Sequence, residues 1–228
     1  MNILRITAAS AALAAAVLCN AADWAQYGRY AAANDSVRAA ANDGSRVVFL
    51  GNSITDNWAR YTPFFGDNGF IGRGISGQTT YQFLARFYPD VVELQPAVVV
   101  INGGTNDVAE NTCRYNEDTT FNNIVAMVNI ARRHGIRPVM TAVLPAAQFS
   151  WRKEISDAPE KIKALNKRLK SYADAEGIPF VDYYTILVDA DGRTLPETYS
   201  YDGVHPTVKG YLVMEAAVLP IVREQLKP

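Results

Sequence analysis

Arg46-Val47-Val48-Phe49-Leu50-Gly51-Asn52-Ser53-Ile54-Thr55-Asp56 is the stretch on which the reading of this chain turns. Its first five residues form an apolar, β-branched run, the pattern of a buried strand, and a glycine closes it. Ser53 therefore falls at the carboxyl end of a strand, where open α/β sheets place their ligands. Taken alone, Ser53 also fits a helix N-cap, since a strand-to-helix junction favours serine there. A second run, Ala97-Val98-Val99-Val100-Ile101-Asn102, ends in Gly103-Gly104-Thr105-Asn106-Asp107. Glycines let the backbone approach a substrate closely, and Asn106 offers a side-chain amide donor. Asp107 is expected to cap or brace the loop around Asn106.

Outward from these two runs, apolar stretches alternate with amphipathic ones. The pattern predicts an opening helix over Trp24 to Ala41 and strands at Arg46 to Leu50 and near Phe70 to Ile75. It continues with helices at Thr79 to Phe87 and Thr119 to Arg133 flanking a strand at Ala97 to Asn102. A strand at Arg137 to Val143, a helix at Glu160 to Glu176, a short strand at Pro179 to Asp182 and a last helix at Thr207 to Leu226 complete it. Alternation of this kind implies a parallel sheet covered by helices. There is no internal repeat and no low-complexity linker.

Two further motifs carry chemistry. Arg73-Gly74-Ile75-Ser76-Gly77-Gln78 is a glycine-rich turn opening a helix, and free backbone amides in such a turn suit an oxyanion. Gly72 to Gly77 also spells a dinucleotide fingerprint, with Asp90 and Glu93 downstream. However, Asp67-Asn68-Gly69-Phe70-Ile71 is a poor buried strand, and that fingerprint belongs to the first βα unit, so the glycines are read as oxyanion-loop geometry. Near the C-terminus, Tyr201-Asp202-Gly203-Val204-His205-Pro206 places an acid three positions before one of only two histidines. A proton-shuttling histidine needs a carboxylate to fix its tautomer, and one short turn here supplies both groups. The other histidine, His134, precedes Gly135 at a helix end, where a basic residue complements the macrodipole.

With these four motifs in this order, the chain resembles the SGNH/GDSL hydrolase family of serine esterases and lipases, from Gly51 to Pro206. The resemblance implies Ser53 as nucleophile, His205 as base with Asp202 as its orienter, and Ser53, Gly77 and Asn106 as oxyanion donors. It also implies an α/β fold, three-layer α/β/α, with a five-stranded parallel flavodoxin-like sheet in the order 2-1-3-4-5. The family usually has Asp directly before the serine, where this chain has Asn52, which removes a negative charge beside the nucleophile. The expected activity is hydrolysis of small acyl esters, acetyl foremost, on carbohydrate. A lysophospholipase or longer-chain acyl esterase with the same triad is the alternative enzyme, and a non-catalytic glycan-binding module the alternative of another class. Asn52, Trp58, Tyr81 and Trp151 are candidate substrate contacts. Tyr61, Gln148 and Phe149 lie in the same neighbourhoods, and at least half of these aromatic rings are expected to close the core.

The terminal segment is read apart from the fold. Met1 to Arg5 carries one basic residue, Ile6 to Leu18 is apolar, and small residues run to Ala22, the pattern of a signal peptide over residues 1–22 followed by one hydrolase domain over 23–228. Cleavage after Ala21 or Ala22 gives an exported protein, periplasmic or secreted, with no stable membrane insertion. Cys19 offers a lipoprotein alternative, which Leu18 fits poorly. Removal of Cys19 leaves Cys113 as the one cysteine, so stability is expected to come from the core rather than from disulfides. No Cys/His cluster has zinc spacing, and no metal or other cofactor is expected. The formal charge of −1 suggests no nucleic-acid partner.

Overall fold

The computed structural model describes residues 23–227; the signal-peptide and Cys19 readings lie outside them. Its centre is a five-stranded parallel sheet in the order β2-β1-β3-β4-β5. The strands are β1 (Val47–Gly51), β2 (Ile71–Gly74), β3 (Val98–Asn102), β4 (Arg137–Thr141) and β5 (Phe180–Val181). Order and architecture are those implied by the resemblance.

Side chains alternate between the faces of a strand, so neighbouring residues of one apolar run feed two different cores. Val48 and Leu50 of β1 and Val99 and Ile101 of β3 pack into one core, while Val47, Phe49, Val98 and Val100 pack into the other. The first core is covered by α4 (Thr80–Asp90), α6 (Glu117–Arg133) and α7 (Ala158–Ala175). The second is covered by α2 (Ser53–Tyr61), α3 (Phe64–Asn68), α8 (Tyr183–Leu187) and α9 (Val208–Gln225). Two short elements complete the set: α1 (Ala31–Ala39) and α5 (Thr105–Val108).

Several elements depart from their expected bounds for local reasons. The opening segment is not one helix from Trp24: Gln26 has φ 55°, a 3₁₀ turn follows at Tyr27–Tyr30, and only Ala31–Ala39 is α-helical. Helix α4 runs past Phe87 to Asp90 and carries Pro89 in its last turn. The three short helices α3, α5 and α8 are too brief to leave a periodic pattern in sequence. At the β1–α2 junction the N-cap is Asn52, whose Oδ1 accepts the Ile54 N–H at 2.9 Å, so Ser53 is the first helical residue rather than the cap.

In this strand order, connections leave β1 and β3 in opposite directions. That opens a crevice at the carboxyl ends of the two strands. The crevice is shaped by close backbone approach: a Cβ on Gly74 would lie 2.2 Å from the Asp56 nitrogen and 2.8 Å from the Asn52 carbonyl oxygen, so only glycine lets β2 pass the turn that carries Ser53.

Two buried charged groups tie the loops around that crevice together. The guanidinium of Arg86, fully buried on α4, donates to the Gly51 carbonyl at 2.9 Å, to Gln78 Oε1 at 2.6 Å and to Asp90 at 2.8 Å. Asp90 in turn accepts from Asn34 at 2.7 Å, and Asn34 accepts from Arg73 at 2.8 Å. On the other side, Asp107 accepts the Thr80 N–H on both oxygens, at 3.1 and 3.2 Å, and the Thr80 and Thr120 hydroxyls. It thereby braces the start of α4 against α5, the short helix that carries Asn106. Burial pushes the Asp107 carboxyl up to about 6, against the pull of its hydrogen bonds.

Arg86→Ala is expected to cost about 3–5 kcal/mol in denaturant unfolding, because it strands Asp90 as a buried charge; a loss below about 1 kcal/mol would contradict that role. Asp107 gives a pH-dependent term. Its native state holds the proton more tightly than the unfolded chain, so its stabilising contribution is full below the ordinary 3.8 and is lost as pH rises through about 6. The Tm of Asp107→Asn relative to the parent protein should therefore become more favourable between pH 4 and pH 7. Parallel Tm profiles would rule this out.

Candidate active site

Ser53 sits at the start of α2 because β1 ends at Gly51 and Asn52 caps the helix that follows. As the first residue of that helix, Ser53 has an N–H that lacks an intrahelical partner. Its Oγ lies 2.8 Å from Nε2 of His205, which is 152 residues away in sequence. The ring of His205 is held from behind by Asp202, with Nδ1 to Oδ2 at 2.6 Å. Asp202 Oδ1 also accepts the backbone N–H groups of His205 at 2.8 Å and Val204 at 2.9 Å. A short antiparallel bridge between Ser200 and Pro206 closes this loop, and the Thr207 N–H donates to the Tyr199 carbonyl at 2.7 Å.

The electrostatics of the pair follow from those contacts. Burial alone would raise the Asp202 carboxyl. The hydrogen bonds from the His205 ring and from the His205 and Val204 backbones outweigh it and hold the group well below the usual carboxylate range. Asp202 is therefore a carboxylate at any pH near neutrality, able to orient the imidazole and to stabilise its protonated form.

A hollow of about 410 Å³ joins Ser53, His205, Gly77 and Asn106, with Asn57, Ser76, Asn111 and Trp151 completing its wall. Gly77 has φ 80°, which turns the loop after β2 back toward Ser53 and suits glycine. Among the described residues neither the Gly77 N–H nor the Ser53 N–H has a hydrogen-bond partner. The Asn106 amide nitrogen donates one hydrogen to the Gln78 carbonyl at 2.9 Å, which fixes its plane and leaves its second hydrogen free. Gln78 is itself held by Arg86, so Asn106 and Gly77 are set by the same buried network.

The structure thus brings together Ser53, Gly77, Asn106, Asp202, His205 and Trp151, and it does not bring the other expected contacts to the site. Trp58 is only 2 % exposed; its ring packs against Phe49, Phe64, Phe65 and Tyr211, and its indole N–H donates to Glu215 at 2.9 Å. Five residues past Ser53, it falls about 140° further round the helix than a whole turn, on the core face. Tyr81 lies on α4 beside Cys113 and Thr119, away from the hollow. Asn52 is buried at 1 % exposure and acts as the α2 cap; among the described residues its Nδ2 has no hydrogen-bond partner. Phe149 is core, whereas Trp151 is 41 % exposed, its ring centroid 6.2 Å from that of His205. His134 closes α6 and meets Tyr88 at 3.0 Å, far from Ser53.

Asn57, Ser76 and Asn111 line the site although the sequence reading did not single them out as site residues. Asn57 could have been found, since a residue four positions after Ser53 shares its helix face. Asn111 left no such signal. It links the wall of the site, accepting from the Trp151 indole at 2.9 Å and donating to the Gly77 carbonyl at 3.1 Å.

Comparison with known proteins places the chain among relatives of one family. A GDSL-like lipase from Bacteroides thetaiotaomicron, known from a crystal structure, is 53 % identical, with a TM-score of 0.86 over 88 % of this chain and 98 % of that one. An acetylxylan esterase from Geobacillus stearothermophilus is 22 % identical over 211 residues, covering 77 % of this chain and 93 % of the relative. The uncharacterized lipoprotein YqeF of Bacillus subtilis (strain 168) is 28 % identical over 144 residues; the match takes in 56 % of this chain and spans 59 % of that lipoprotein's length. Residues 49–213, from the middle of β1 into α9 and so across every element that carries the site, match the GDSL-like lipase/acylhydrolase family, and the chain belongs to it.

Proposed function

We propose that the protein is a serine esterase that removes small acyl groups, acetyl foremost, from carbohydrate, through an acyl-enzyme on Ser53. The observation that carries this reading is the continuous hydrogen-bond chain Ser53–His205–Asp202, with spacings of 2.8 and 2.6 Å, opening onto unpaired N–H donors. A serine hydroxyl is a weak nucleophile unless a base takes its proton. His205 Nε2 accepts that proton as Ser53 Oγ bonds to the ester carbonyl carbon, and the N–H groups of Ser53, Gly77 and Asn106 receive the oxyanion. The carbon–oxygen bond to the alcohol then breaks, His205 returns the proton to the departing oxygen, and water repeats the sequence to free the acid.

A short acyl group is supported by the walls of the hollow, where Asn57, Ser76, Asn106 and Asn111 present amides and hydroxyls rather than a continuous apolar lining. The acetylxylan esterase relative supports the same substrate class. Export, expected from residues 1–22, is supported by the lipoprotein relative. Among the described residues no helix is long and apolar enough to cross a membrane.

Acetate release from 4-nitrophenyl acetate and from acetylated xylan should fall by at least about 10³-fold in Ser53→Ala without loss of the folded state. Undiminished release by that variant would end the assignment of the nucleophile. Asn106→Ala should lose about 10²–10³ in kcat, about 2.7–4 kcal/mol of transition-state stabilisation, with KM little changed. A series of aryl esters of increasing acyl length should show highest kcat/KM for acetyl; preference for eight carbons or more would favour a lysophospholipase or long-chain esterase instead.

A further inference from the structure

Beside the hollow that holds Ser53 lies a larger one, of about 760 Å³, which is within the range of sites that enclose whole ligands. The two share His205 and Asn57 as walls, and the larger one contains neither Gly77 nor Asn106. That division matches the two halves of an ester. The carbonyl oxygen must reach the Gly77 and Asn106 donors, whereas the alcohol oxygen must reach His205 Nε2 to take back its proton. The alcohol part therefore extends on the histidine side, away from the oxyanion donors.

The walls of the larger hollow suit a polyhydroxylated ring. Tyr61 is 54 % exposed and stacks on the fully buried Tyr211, centroids 5.9 Å apart and planes inclined by 24°. Tyr211 stacks in turn on Trp58 at 5.4 Å, and its hydroxyl donates to the Ile54 carbonyl at 2.8 Å. The Trp58–Tyr211–Tyr61 stack runs from the core to the surface, so the outermost ring is presented as a flat face backed by fixed neighbours. Such a face takes the C–H side of a sugar with little ordering cost, because the ring is held before the ligand arrives. Around it stand groups able to meet hydroxyls: the Asn57 amide, the Glu197 carboxylate, Thr198 and the Lys209 ammonium. Among the described residues neither Glu197 nor Lys209 is within ion-pair distance of an opposite charge, so both remain available to a ligand.

We propose that this hollow, with Tyr61 as its stacking platform and Asn57, Glu197 and Lys209 as its polar rim, binds the leaving alcohol as a sugar residue of the acylated glycan. The assignment rests on the serine-esterase reading above. It explains why the helix that begins with Ser53 ends in Tyr61: one helix carries the nucleophile at its start and the platform at its end.

The test compares kcat/KM for acetate release from acetylated xylo-oligosaccharides with that from ethyl acetate, whose alcohol is too small to reach Tyr61, in the parent protein, Tyr61→Phe and Tyr61→Ala. The ratio of oligosaccharide to ethyl acetate should fall about tenfold in Tyr61→Ala and stay within about threefold of the parent value in Tyr61→Phe, which keeps the ring. A ratio unmoved by Tyr61→Ala, or lowered equally by both variants, overturns the platform while leaving the esterase intact. Parent activity on ethyl acetate with none on the oligosaccharides overturns the sugar assignment. Absence of activity on both, in a folded parent protein, overturns the esterase reading and this subsite together.

Discussion

The Arg86 guanidinium is the point on which the geometry of the site depends. It is fully buried, and it directs its donors to three different pieces of chain: the carbonyl that ends β1, the side chain that follows Gly77, and a carboxylate on its own helix. A charge taken out of water is tolerated only when it is paired and hydrogen-bonded, so the three pieces are held in one relation. Gly51 sets the position of Ser53, and Gln78 sets that of Gly77 and, through its carbonyl, of Asn106. Asp107 performs the complementary task from the other side, fastening the start of α4 to α5. Three loops that have no contact in sequence thereby become one rigid rim.

The second constraint is the strand order. Because β1 sends its chain to β2 on one side and β3 lies on the other, the carboxyl ends of β1 and β3 face an open crevice into which both glycine-terminated turns project. His205 reaches this crevice from the loop before α9, where a two-residue bridge and three hydrogen bonds to Asp202 Oδ1 stiffen an otherwise exposed turn. The aromatic stack built on Trp58 extends the same order outward. A side chain that would count only as core filler also fixes the surface ring that borders the site.

Much of this was legible in the chain itself. The apolar runs at Val47 and Val98 read as buried strands because residues facing two cores must be apolar at every position, and the glycine-bounded turns after them mark where a backbone must pass close to something else. Asp202 and His205 are three residues apart, so their pairing is a local fact. What resisted reading was side-chain direction. Trp58 and Tyr61 are three residues apart on one short helix, yet one is at the centre of the second core and the other at the rim of a hollow. Tyr81 follows the Gly77 loop closely in sequence but is turned away by the helix it sits on, and Asn111 enters the site only because Trp151, forty residues later, comes to meet it.

The alternation of strands and helices, the four motifs and the local acid–histidine pair can be read along the chain, because each depends on neighbours within a few positions and on the periodicity of burial. Packing alone set which of the aromatic residues line the hollows, which segments share a buried guanidinium, and that Ser53 meets a histidine 152 residues away at hydrogen-bond distance. Those outcomes depend on the packing of helices against the sheet, and packing compares residues that are remote in sequence, so no local pattern records them.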